Sequence, residues 1–147
     1  MSEYQFSIEE LIKTIIDISN EELFYNEPVD AQYIFQNGEC YELALVLKHF
    51  ITNSFLVIDK DYEHCAIQFH GRIYDSRGDV TSIFQGHIAN EQDMDYMEDR
   101  FGIPEKGYIN GQRLSEWLIN YIDGVESITN NLPFYIQSKG IDSNKMK

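Results

Sequence analysis

Three observations predict an α+β fold. An amphipathic helix opens on Cys40, a β-hairpin carries His64 and Asp75, and further helical patterns flank that unit on both sides. The expected architecture is a cysteine-bearing helix packed on a small antiparallel sheet, with flanking helices completing the core.

The first element is a helix starting at residue 7. Ser7 with Glu10 makes a capping box, and the apolar residues of 8–16 follow helical spacing. Pro28 marks a break across residues 27–30, after which 31–36 leads into the cysteine helix. That helix is expected within residues 37–51, with Asn37 able to cap it and Glu39 and Glu42 as acidic first-turn residues. Cys40, Leu43, Ala44, Leu47, Phe50 and Ile51 form one buried stripe. Cys40 is thereby both inward-facing and in the first turn, where unpaired N–H groups favour a thiolate. Glu39 and Glu42 oppose this unless they point to solvent. The alternative role for Cys40 is that of a small buried hydrophobe.

Residues 55–58 read as a strand, 59–63 as a polar loop and 64–69 as a second strand. A turn at His70 and Gly71 leads to a third at 72–75. A two-residue turn pairs Phe69 with Arg72 and therefore Ala66 with Asp75. Alternation then puts His64, Ala66 and Asp75 on one face, with Asp75 diagonal to His64. Cys65, Ile67 and Phe69 fall on the other, which disfavours a Cys40–Cys65 bridge. A three-residue turn would move Asp75 to the opposite face. The small Ala66 is expected to leave room for the helix to approach.

Beyond Gly78, residues 80–84 suggest another strand, Gly86 a break, and His87 with Ile88 an extension of the sheet. Residues 91–101 predict an acidic helix closed by Gly102. Residues 112–121 predict a last helix with Trp117, Leu118 and Tyr121 on its apolar face, and 134–136 a final strand. Residues 1–141 are expected to form a single globular domain, with 142–147 a polar tail.

The 147 residues are 43% hydrophobic and include 10 Tyr and 9 Phe, enough apolar material for one core and too much for a disordered chain. No apolar run approaches the roughly 20 residues of a membrane span, and the acidic N-terminus lacks the basic and apolar regions of a signal peptide. Two isolated cysteines make no disulfide framework, so reduced thiols and a cytoplasmic location are expected. The net charge is −14, from 25 acidic against 11 basic residues, which disfavours direct nucleic-acid binding. Such a charge is compatible with a solvated surface, a basic protein partner or imitation of a phosphate array. Asp93, Asp95, Glu98 and Asp99 lack EF-hand spacing, and no paired Cys or His motif suits zinc, so no metal and no cofactor is expected.

The order Cys40, His64, Asp75 supplies what thiol catalysis needs: a nucleophile, a proton carrier and a group that orients the imidazole. His64-Cys65 also opens a phosphatase-like H-C-x5-R pattern, but position 71 is Gly and Arg72 comes one residue late. The residues between look like strand, and that chemistry is excluded.

The segments Gly38 to Ala44, His64 to Ile67 and Tyr74 to Gly78 resemble the papain-like and transglutaminase-like cysteine-enzyme superfamily over residues 36–80. They also resemble its arylamine N-acetyltransferase branch and small uncharacterised bacterial and phage proteins. The resemblance implies a papain/transglutaminase-like core, with Cys40 as nucleophile, His64 as general base and acid, and Asp75 as the orienting group. Position 34, six before the cysteine, is Ile rather than Gln, which leaves Gln36 and Asn37 as nearby candidates for oxyanion donors alongside the Cys40 N–H.

The expected function is a cysteine-dependent amide hydrolase, deamidase or acyltransferase acting on a protein, peptide or other amide. The alternative is an acidic protein-binding inhibitor without catalysis, such as a DNA-mimicking phage or mobile-element counter-defence protein.

Overall fold

The computed structural model describes residues 7–102 and 108–129. The expected strand at 134–136 and the tail at 142–147 lie outside the described residues. Among the described residues, eleven elements follow one another: α1 (Ile8–Glu22), α2 (Ala31–Gln36), α3 (Cys40–Phe50), β1 (Phe55–Asp59), β2 (Cys65–Phe69), β3 (Arg72–Asp75), β4 (Gly78–Asp79), β5 (Gly86–Ile88), α4 (Glu91–Phe101), α5 (Leu114–Asp123) and α6 (Glu126–Thr129). The fold is α+β, with a five-stranded antiparallel sheet in the order β4-β3-β2-β1-β5.

The start signals act largely where the sequence puts them. Ser7 Oγ accepts from Glu10 N while the Glu10 carboxylate accepts from Ser7 N, so the capping box closes on α1. Residues 31–36 form a helix of their own, capped by Asp30. Asn37 ends that helix and does not cap α3. Its side-chain amide donates back to Tyr33 O at 3.0 Å. The residue before α3 is Glu39, which makes no side-chain cap, and Cys40 is the first helical residue.

The hairpin has the two-residue turn, with His70 and Gly71 both in the left-handed region at φ of 51° and 77°. Phe69 pairs with Arg72, Gln68 with Ile73 and Ile67 with Tyr74, and the same register runs on to Ala66 opposite Asp75. Residues 80–84 are not a strand. A two-residue β4 pairs with β3 instead, and Thr81 turns the chain by bonding Asp79 and the Ile73 N–H. The chain then crosses to the opposite edge, where β5 pairs with β1. A Cβ on Gly86 would overlap Ile58 O, so glycine permits this close pairing.

Leu43, Ala44, Leu47 and Phe50 of α3 belong to one buried cluster with Leu56, Ile58, Cys65, Ile67 and Phe69 of the sheet. Val57 and Ala66, paired across β1 and β2, are buried outside that cluster. The helix therefore packs on the Cys65 face, and Ala66 lines a small interior gap with Cys40, Leu43, Ala44 and Leu47 of the same helix. α1, α2 and α5 complete the cluster through Leu11, Ile15, Phe35, Leu114 and Leu118. α5 is tied to α3 by a buried ion pair. The Glu42 carboxylate accepts from Arg113 Nη2 at 2.6 Å and from Ser115 N at 2.8 Å.

Candidate functional site

The sequence of α3 makes Cys40 its first residue, and the β2–β3 register brings the start of β2 beside the end of β3. These two facts assemble Cys40, His64 and Asp75. His64 lies just before β2, and its Nε2 donates to Asp75 Oδ2 at 2.9 Å. The Cys40 sulfur is a hydrogen-bond neighbour of the same ring. Asp75 and Cys40 are buried and His64 is mostly so, at 3%, 5% and 17% exposure.

Asp75 is held by more than the histidine. Arg77 Nη2 donates to Oδ2 at 2.8 Å and its backbone N–H donates to Oδ1 at 2.8 Å. Burial alone would raise the Asp75 pKa, but these bonds hold it down at about 2. The carboxylate in turn favours a charged imidazole. Burial opposes that charge, yet the Asp75 and Cys40 bonds push His64 up to about 9.

Cys65 is not remote from Cys40. Its thiol is a hydrogen-bond neighbour of the Cys40 sulfur, and its backbone N–H donates to Cys40 Sγ at 3.4 Å. The strand parity that separated the two residues fails because His64 precedes β2 and does not share its alternation. The Cys65 thiol and the His64 ring outweigh the cost of burial and lower Cys40 to about 5. The first-turn location adds the partial charge of unpaired N–H groups. Glu39 and Glu42 are both buried, and Arg113 neutralises Glu42.

Of the two side-chain candidates for an oxyanion donor, Gln36 lies nearer the His64 ring. Ser76 Oγ donates to Gln36 Oε1 at 2.8 Å, which turns the amide nitrogen toward His64, 3.5 Å from Nε2. Because the His64 Nε2 proton goes to Asp75, the Gln36 N–H groups remain available to an acceptor. Asn37 uses its amide on Tyr33. Ser76 and Arg77 are contributions that sequence reasoning missed. The compact run Asp75-Ser76-Arg77 was the available signal, since a tight turn folds its side chains back on one another.

Two open clefts meet at Gln36. One, of about 550 Å³, is lined by Cys40, Gly38, Glu63, Arg100 and Phe101. The other, of about 310 Å³, is lined by His64, Asp59, Lys60, Arg77 and Phe84. A chain lying across both would pass over the Cys40–His64 pair.

The family model described as phage YunG-like protein matches residues 11–119, a span that includes Cys40, His64, Asp75 and all five strands. The chain belongs to this family. No curated protein and no solved structure matches it significantly.

The acidic stretch of α4 is only partly a free surface. Asp93 is buried, accepting from His87 Nε2 at 2.9 Å and Tyr62 OH at 3.1 Å. Glu98 accepts from Arg113 and Tyr41. Asp95 and Asp99 remain exposed. Among the described residues, no group of three or more His, Cys, Asp or Glu side chains could hold a metal ion. No described helix is long and apolar enough to cross a membrane.

Proposed function

We propose that this chain is a cysteine-dependent amide hydrolase, deamidase or acyltransferase with a papain/transglutaminase-like catalytic core. The observation that carries the reading is the 2.9 Å His64–Asp75 bond beside a sulfur at the first residue of a helix. Cys40 thiolate attacks the carbonyl carbon, and the π pair moves to oxygen, where the Cys40 N–H and Gln36 amide would stabilise it. Collapse expels the amine, which takes its proton from His64. Water then attacks the thioester as His64 removes its proton, and the thiolate leaves. An amine in place of water gives transfer. Asp75 keeps the ring turned and favours its charged form.

The paired clefts support an extended substrate, such as a protein segment bearing the amide. A reduced, cytoplasmic setting suits two free thiols. An acylating probe, p-nitrophenyl acetate, tests the mechanism by intact mass. One acetyl group should appear on Cys40, be absent in Cys40→Ala, and form far more slowly in His64→Ala. Folded protein that acquires no acetyl group, or acquires it equally without His64, would overturn the reading.

The net charge of −14 and the phage family favour one second reading, an acidic inhibitor that binds a basic protein. Asp95 and Asp99 would serve that role better than Asp93 and Glu98, which are engaged within the fold. Reversing Asp95 and Asp99 would then abolish function while Cys40→Ala would not.

A further inference from the structure

Cys65 has no part in the acyl-transfer steps, yet its thiol meets the nucleophile. It lies at the start of β2, 1% exposed, in the same interior pocket as Cys40. Its sulfur also lies 3.4 Å from Met97 Sδ, so one side is walled by a thioether and the other by the Cys40 sulfur. Cys40 also lines the open cleft, whereas Cys65 does not. A small oxidant entering that cleft meets Cys40 first.

We propose that Cys65 is the resolving thiol of a reversible oxidation site, converting peroxide-oxidised Cys40 into an internal Cys40–Cys65 disulfide. The inference rests on the thiolate reading of Cys40. The Cys40 thiolate attacks one oxygen of hydrogen peroxide, the O–O bond breaks, and the departing hydroxide takes a proton to become water. Cys40 is then a sulfenic acid, oxidised by two electrons. Cys65 sulfur attacks the Cys40 sulfur, the S–O bond breaks, and the hydroxide leaves as water with the Cys65 proton. In sum, two thiols and one peroxide give one disulfide and two waters.

The arrangement also orders the steps. While Cys40 is a thiolate, its negative charge and the burial of Cys65 hold the Cys65 thiol protonated. Conversion of Cys40 to an uncharged sulfenic acid removes that repulsion and presents an electrophilic sulfur to the neighbour. The Cys65 N–H contact at 3.4 Å and the thiol–thiol contact hold the two sulfurs side by side. The disulfide protects the nucleophile from irreversible oxidation and silences it until a dithiol reduces it.

The test compares full-length wild type with Cys65→Ser after reduction, peroxide treatment and mass spectrometry, with dimedone as the sulfenic-acid probe. Wild type should lose two hydrogens, yield a Cys40–Cys65 cross-linked peptide, take up little dimedone and recover fully with dithiothreitol. Cys65→Ser should trap dimedone on Cys40 and, without the probe, proceed to sulfinic acid that dithiothreitol does not reverse. Wild type that takes up dimedone or reaches sulfinic acid as fast as the variant, without a cross-link, would overturn the resolving role while leaving Cys40 activation intact. No reaction of Cys40 with peroxide in either protein would overturn both.

Discussion

His64 Nε2 and Arg77 Nη2 converge on the same oxygen of Asp75, at 2.9 and 2.8 Å. The carboxylate therefore both orients the ring and is itself fixed by a cation two residues along the chain. Replacing Asp75 with Asn should reduce Cys40 acylation by about 10²–10⁴-fold, by analogy with orienting carboxylates elsewhere. It should also raise the apparent pKa of Cys40. Acetylation rate and the pH dependence of alkylation would measure the two effects, and an unchanged rate would remove Asp75 from the mechanism.

Gln36 gives a different signature. Its amide nitrogen lies 3.5 Å from His64 Nε2 while Ser76 holds its oxygen. Gln36→Ala should slow acetylation about 10²-fold, the usual effect of one oxyanion donor, yet leave iodoacetamide alkylation of Cys40 nearly unchanged. Alkylation forms no oxyanion, so equal losses in both assays would mean that Gln36 acts on the thiol instead.

The α3–α5 clamp is a stability device. Glu42 is fully buried and accepts from both Arg113 and the Ser115 N–H. Glu42→Ala should cost about 3–5 kcal/mol, the range for breaking one side of a buried ion pair. Urea unfolding would measure it, and a loss below about 1 kcal/mol would show the pair to be dispensable.

Stability should depend on pH in three windows. Cys40 and Asp75 both have lowered pKa values, from 9.0 to about 5 and from 3.8 to about 2. Their contributions are lost as pH falls through those lower values. His64 is raised from 6.5 to about 9, so its contribution is full below 6.5 and lost as pH rises through 9. The stability gap between wild type and His64→Ala, followed by urea titration, should be widest below 6.5 and close above 9. A gap that widens with rising pH would contradict the assignment.

Local rules made much of this fold legible. The His70-Gly71 turn fixed a register, and that register carried Asp75 to His64 without further information. Ser7 with Glu10 marked a helix start because the two side chains satisfy each other's backbone donors. The rules failed where tertiary contacts decide. Asn37 can cap a following helix or end a preceding one, and the separate α2 decides for the latter. Residues 80–84 have strand-like side chains but turn, because Asp79 and Thr81 bond locally. Glu42 looks like a solvated first-turn acid until α5 brings Arg113 over it. Cys65 was separated from Cys40 by extending strand alternation to His64, one residue outside the strand.

The most direct measurement is the alkylation rate of Cys40 against pH, read by peptide mass spectrometry so that Cys65 is scored separately, in wild type and His64→Ala. The thiolate–imidazolium account predicts a rate that rises through about pH 5 in wild type and a midpoint that moves upward without His64. A midpoint near the ordinary thiol value of about 8.5, indifferent to His64, would contradict it.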